Sequence, residues 1–162
     1  MQIQHTTLND MGQNMLFHFT SKHIPITIAV FFLSMISGCF ERNINLEVCG
    51  LNYTSLHIDE FTVNGYSGAN ISANGGGGGF TCCIALPRKW HEGMSVKIRW
   101  TNDGTKFQNY KERTVAVPKY SDKDLGFLAV HFYPDDSVKV LVTNHTDSFP
   151  GYPYPRPANK SP

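Results

Sequence analysis

Apolar and polar positions alternate along most of the chain between residues 44 and 142. Ile44, Leu46 and Val48 alternate with Asn45 and Glu47, which predicts a first strand. Residues 56–63 alternate in part and stop at Asn64-Gly65, a dipeptide suited to a two-residue hairpin because both positions tolerate positive φ. Residues 80–86 form a continuous apolar strand ended by Pro87. Residues 95–101 place Val96, Ile98 and Trp100 on one face, and Asn102-Asp103-Gly104 turns the chain. Residues 112–117 alternate again and stop at Pro118. Residues 125–133 and 137–142 read as two strands joined at Pro134-Asp135-Asp136. No window sustains a helical period. Short strands with turn signals at regular spacing predict an all-β fold, a small antiparallel β-sandwich, either Ig-like or an open barrel, over residues 48–147.

Both ends of the chain depart from this pattern. Residues 24–36 are almost entirely apolar but too few to span a bilayer, which takes roughly 20 apolar residues. They have the length of a signal-peptide core, and Lys22 supplies the preceding positive charge. Ile36-Ser37-Gly38-Cys39 follows directly. An aliphatic residue, two small residues and a cysteine form a lipobox, in which the sulfur receives diacylglycerol. Residues 1–38 are therefore expected to be a cleaved lipoprotein signal peptide, with Met1, Met11 or Met15 as the start. Cys39 is the expected lipidation site, and residues 39–47 form a lipidated tether. Phe40, rather than an aspartate, directs the expectation to the periplasmic face of the outer membrane. At the other end, five of the nine prolines lie at or beyond Pro150, and residues 148–162 are expected to be an extended or disordered tail.

Charge adds an exclusion. With 14 basic and 13 acidic residues and a formal net charge of +1, the chain lacks the basic footprint of a nucleic-acid binder or of a protein that docks on an anionic membrane face. Lipid on Cys39 leaves Cys49, Cys82 and Cys83. Three thiols in an oxidising compartment cannot all pair. A bridge from Cys49 to Cys82 or Cys83 is favoured, against a vicinal Cys82–Cys83 disulfide or buried free thiols. A redox role would call for two cysteines separated by two residues beside a helix terminus, and that pattern is missing.

The remaining candidates for chemistry are weaker than their ordinary readings. The run Gly75 to Gly79 is followed by a strand instead of the Lys-Ser/Thr and helix of a phosphate loop, so it reads as a mobile hairpin loop. His57, Asp59, His91, His131 and His145 lack zinc-ligand spacing. No nucleophile elbow of the Gly-x-Ser-x-Gly type occurs. Asn52, Asn70 and Asn144 begin sequons that carry no meaning in a bacterial lipoprotein. These readings point to a protein that is not an enzyme, uses no cofactor or metal, and takes no small-molecule substrate.

Several motifs recur together in one order: Asn52-Tyr53-Thr54, Ile58-x-x-Phe61-x-Val63-Asn64-Gly65, Gly68-Ala69-Asn70, the glycine run, Cys82-Cys83, and Leu86-Pro87-x-x-Trp90. Val96-x-Ile98-x-Trp100, Val117-Pro118-x-Tyr120 and Val130-His131-Phe132-x-Pro134 continue the series. Over residues 48–142 the chain resembles the bacterial lipoprotein family catalogued as domain of unknown function 3304. Members are often encoded beside type VI secretion phospholipase toxins. The resemblance thus implies an immunity lipoprotein that binds and blocks a lipase-type toxin in the periplasm, and a tethered inhibitor of this kind is expected to be a monomer. The alternative is a structural or accessory envelope lipoprotein without enzymatic activity, and a glycan-binding β-domain is a third reading. For the immunity reading, loop tips carrying Tyr66, Gly75, Gly77, Arg88 and Trp90 are the expected contact residues, since Tyr, Trp and Arg are enriched among interface hot spots. Trp90 has a competing reading as a core residue beneath its loop.

Overall fold

The computed structural model describes residues 42–102 and 109–158, with only the backbone of Gly77 and Gly78. The expected signal peptide, Cys39 and the start of the tether lie outside the described residues. The chain divides into Met1–Phe40 and Glu41–Pro162, and the described strands fall in the second unit. Eight strands run in order: β1 (Asn43–Asn52), β2 (Glu60–Val63), β3 (Tyr66–Ser67), β4 (Gly76–Pro87), β5 (Ser95–Thr101), β6 (Lys111–Ala116), β7 (Phe127–Phe132) and β8 (Val138–Thr143). A 3-10 turn, Asp122–Asp124, precedes β7. No helix among the described residues is long and apolar enough to cross a membrane.

The strands form two four-stranded sheets, β4-β1-β7-β8 and β3-β2-β5-β6. The expected all-β sandwich is thus the observed architecture. One pairing departs from the antiparallel expectation: β1 and β7 are parallel, with Val48 opposite Leu128 and Asn52 opposite Phe132. Asn64 and Gly65 both have positive φ, 49° and 88°, so the β2–β3 hairpin turns as Asn-Gly predicts. The alternation of β5 holds from Ser95 to Trp100, with Val96, Ile98 and Trp100 buried while Ser95 and Lys97 face solvent, and it ends at Thr101, which is buried as well.

Leu46, Val48, Ile84, Leu128, Val130 and Val140 from the first sheet meet Phe61, Val63, Val96, Ile98 and Trp100 from the second in one core. Phe132 joins the layers, edge-on to Phe61 at 5.3 Å and tilted against Trp100 at 5.6 Å. A second cluster, Cys49, Leu51, Phe127 and Ala129, lies on the outer face of the first sheet. Alternate β1 and β7 side chains point there, so this sheet buries both faces.

Three boundaries need correction. The first strand begins at Asn43, with Leu46 buried opposite Ile84, so residues 43–47 belong to the sandwich and not to the segment before it. The glycine run is not a loop, because Gly76 to Gly79 are part of β4. Three residues, Gly77 to Gly79, stand between the pairs Leu51–Gly76 and Cys49–Phe80, where β1 supplies only Gly50. Gly76 has φ of 115°, and a Cβ there would sit 2.3 Å from the Gly50 carbonyl oxygen. Glycine serves here to let two backbones approach. Finally, residues 148–158 are tied down and not extended throughout, since the Phe149 and Tyr152 N–H groups donate to the Thr146 and Phe149 carbonyls at 2.9 and 3.1 Å and turn the chain twice. They cross the outer face of the first sheet as a strap, with Pro155 accepting a hydrogen bond from Tyr53 at 2.8 Å.

Candidate functional site

The cysteines resolve differently from the favoured reading. Cys82 and Cys83 are joined to each other, and Cys49 is buried outside any disulfide. Register explains the correction. Cys49 pairs with Phe80 and turns its side chain toward Leu51 and Ala129, whereas Cys82 and Cys83 lie between the pairs Leu46–Ile84 and Val48–Thr81. Two β4 residues there oppose only Glu47, a β-bulge. The bulge keeps the neighbouring cysteines apart from Cys49.

The five residues expected to contact a partner do not converge. Gly75 and Gly77 lie by the Asn52 end of β1, where the Asn52 N–H donates to the Gly75 carbonyl at 2.8 Å. Arg88 and Trp90 follow the opposite end of β4, where Pro87 pairs with Asn43. Eleven residues of strand between Gly76 and Pro87 correspond to roughly 36 Å. Tyr66 stands exposed on the edge strand β3, apart from both. Arg88 forms an ion pair with Asp122 at 3.1 Å. Trp90 is half-buried against the core, and its indole N–H donates to the Val117 carbonyl at 2.8 Å. These contacts give Trp90 a packing role under its loop.

The histidines are also dispersed. His57 and Asp59 face each other at 3.9 Å near the surface, while His131 is fully buried on the outer side of the other sheet. Among the described residues, no group of three or more His, Cys, Asp and Glu side chains is arranged to hold a metal ion.

His131 is the centre of a cluster that sequence reasoning missed. The strap brings Tyr152 and Tyr154 over it, Tyr53 comes from the end of β1, and Tyr133 stacks on Tyr53 at 4.7 Å. The Tyr53 hydroxyl donates its single proton to the Pro155 carbonyl at 2.8 Å, so it accepts from the His131 Nδ1–H at 2.9 Å. That leaves Nε2 as an acceptor, filled by the Tyr152 hydroxyl at 3.0 Å. The protons thus run in one direction: Tyr152 to His131, His131 to Tyr53, Tyr53 to the strap backbone.

Burial sets the electrostatics of this relay. Desolvation pushes the His131 imidazole down to about 3; nearby Asp147 opposes this shift and Lys139 adds to it. Desolvation also raises the Tyr53 hydroxyl, reinforced by Tyr133, and raises Tyr152, reinforced by Asp147. Every member therefore stays neutral near pH 7, with both ring nitrogens committed. Such a relay can fasten the strap, but it offers no open base to a substrate.

An open feature lies at the Asn52 end of the sandwich. A cleft of about 190 Å³ is lined by residues that include Thr54, Leu56, Asn102, Lys111, Asp136 and Ser137. Lys111 of β6 and Asp136 of the β7–β8 turn close one side across the two sheets at 2.6 Å. Leu56 is 57% exposed at this cleft, and Tyr110 beside it is 45% exposed. Asn52 supports the floor, donating to the Leu56 and Ser72 carbonyls at 2.7 and 3.1 Å and accepting from the Thr54 N–H at 2.9 Å. The conformation that presents Leu56 is therefore fixed from a buried side chain.

A family model described as "Protein of unknown function (DUF3304)" matches residues 51–140, more than half of the chain. No curated protein and no solved structure matches the chain.

Proposed function

The chain belongs to the DUF3304 family, and since that description names no activity, we propose from the chain's own features that it is a lipid-anchored binding protein of the periplasm. In this reading it is an immunity lipoprotein that seats on a type VI secretion phospholipase toxin and blocks it sterically. The observation that carries the proposal is the placement of Cys39, at the end of a lipobox, four residues before the first strand of a sandwich with its own core. A chain extends at most about 3.5 Å per residue, so the domain would ride close to the outer-membrane surface. β1 would lead away from that surface, leaving the loop end with Leu56 and Tyr110 farthest from the lipid and open to a partner.

Two features support binding at that far end. Leu56 and Tyr110 present apolar surface beside a cleft whose backbone is held by Asn52. Exposed aromatic and apolar side chains on a fixed frame lose little entropy when covered. His131, by contrast, is engaged under the strap and is read as a structural group. The reading requires no cofactor, metal or small-molecule substrate, and a monomer suffices.

The test is a pull-down with residues 40–162 immobilised and exposed to periplasmic and secreted proteins of the source strain. The expected result is recovery of a phospholipase whose activity falls on adding the domain. Leu56→Ala with Tyr110→Ala should weaken that inhibition by about 2 kcal/mol or more. Arg88→Ala with Trp90→Ala should leave it intact. Recovery of envelope components alone, with no lipase inhibited, would replace the proposal with an accessory envelope lipoprotein.

A further inference from the structure

We propose that the Cys82–Cys83 disulfide is a reversible redox site, opened by a dithiol that attacks Cys82 from the outer face of the first sheet, and is not a structural cross-link. The inference rests on neither the lipid anchor nor a toxin partner. Register explains how two neighbours come to meet. Phe80 pairs with Cys49 and packs edge-on to Phe127 at 5.0 Å, both on the outer face. Thr81 pairs with the core residue Val48, and Ile84 with the core residue Leu46. In an unbroken strand, neighbouring side chains point to opposite faces and their sulfurs stay apart. Here the extra residue of the bulge sets both cysteines against Glu47, whose side chain is exposed on the outer face. Cys82 and Cys83 therefore share one side of the strand, and they are joined there.

Two observations separate this bond from one that holds a fold together. A disulfide stabilises chiefly by closing a loop in the unfolded chain, and more for longer loops. This one joins residues one apart in sequence, so it constrains almost nothing that folding has to order. The second observation is access. β4 is the last strand of its sheet, Cys82 is exposed and Cys83 is half-buried. The strap makes its hydrogen bonds at Tyr53 and His131, away from the bulge. His131 pairs with Leu51, four residues along β1 from Glu47, or roughly 13 Å. Exposed disulfides are the labile ones, because exchange requires a thiolate to reach a sulfur.

The reaction balances between the pair and its reductant. A thiolate of the dithiol attacks the Cys82 sulfur and forms a mixed disulfide, while the Cys83 sulfur leaves and takes up a proton. The second thiol of the dithiol then attacks the dithiol's own sulfur in that mixed disulfide, and Cys82 leaves as a thiol. The dithiol departs as a disulfide, having passed two electrons and two protons to Cys82 and Cys83. Cysteines separated by two residues beside a helix terminus are not needed for this, since the bulge itself brings adjacent sulfurs together.

The experiment uses the full-length protein without denaturant, with dithiothreitol as the dithiol and iodoacetamide as the label, read residue by residue by mass spectrometry. Cys82 and Cys83 should resist labelling before treatment and both accept it afterwards, while Cys49 stays protected at 1% exposure. Oxidised glutathione should restore the resistance. In single variants, Cys82 of Cys83→Ser should react several times faster than Cys83 of Cys82→Ser. The urea midpoint should agree within error among oxidised wild type, reduced wild type and Cys82→Ser with Cys83→Ser. Labelling of the pair before any dithiol, or only in urea that also exposes Cys49, overturns the proposal. So does failure to reoxidise, faster reaction at Cys83, or a midpoint that falls on reduction, which would make the bond structural.

Discussion

Acidification should unfasten the strap, because His131 is held neutral in the folded protein and would ionise if released. The imidazole stands at about 3 in the native state against an ordinary 6.5. The unfolded chain therefore takes up a proton as pH falls through 6.5, while the folded chain does not until about pH 3. This contribution to stability is complete above pH 6.5 and is lost progressively between 6.5 and 3. The slope approaches about 1.4 kcal/mol per pH unit, which gives about 2.5 kcal/mol between pH 7.5 and 4.5. A domain of this size has only about 5–15 kcal/mol in total, so the loss is readily measured.

Urea denaturation across that range, on wild type and His131→Gln, isolates the term. Asp124 and Asp135 are lowered by hydrogen bonds from Ser121 and Ser137, so their contributions fade at lower pH and are common to both proteins. Wild type should lose stability toward pH 4.5, and the variant should lose about 2 kcal/mol less over the same span. A wild-type profile that stays flat, or a variant that follows it, would refute the buried neutral imidazole. Amide exchange supplies the location: protection over residues 149–156 should fall before that of β5.

Other consequences follow from single contacts. Without reductant, residues 40–162 should show one reactive thiol after unfolding and almost none before it, since Cys49 is 1% exposed; rapid labelling of the native protein would point to a bridge at Cys49. Tyr152→Phe should lower stability by about 1–3 kcal/mol in urea, because it leaves the His131 Nε2 acceptor buried without its donor. Gly68→Ala should cost about 1–3 kcal/mol or prevent folding, as its Cβ would lie 1.8 Å from Phe61 Cζ in a core with no slack; a wild-type urea midpoint would contradict that packing. Trp90→Phe should cost about 1 kcal/mol in a thermal melt by losing the bond to Val117.

Strand positions were legible because the inward face of each sheet leaves a period of two in the sequence. Val96, Ile98 and Trp100, and the Asn64-Gly65 turn, each state a local rule that the fold obeys. The parallel pairing of β1 with β7 was not legible, since strand order is set by long-range packing and leaves no local mark. The glycine run misled for a related reason: glycine signals a loop by its freedom, yet Gly76 is required by its closeness to Gly50. The contact residues were read from composition, favouring Arg88 and Trp90. Their side chains are occupied by Asp122 and Val117, and no sequence rule foretold those partners.

The buried cluster did leave a sign. Residues 127–132, Phe-Leu-Ala-Val-His-Phe, do not alternate, and every one is buried. In an antiparallel sandwich a strand has one face toward the core, so a strand without alternation needs a second cover. Both sheets are already used on their inner sides, and among the described residues the tail with Phe149, Tyr152 and Tyr154 supplies the apolar chain left over. An extended proline-rich segment donates few backbone hydrogen bonds and cannot pair as a strand, but its tyrosines can lie flat over a sheet and hold it by their hydroxyls. His131 is the one polar residue in that strand, and a buried imidazole needs two partners. Tyr53 and Tyr152 are those partners, so the tail that looked like a loose end closes the outer face of the domain.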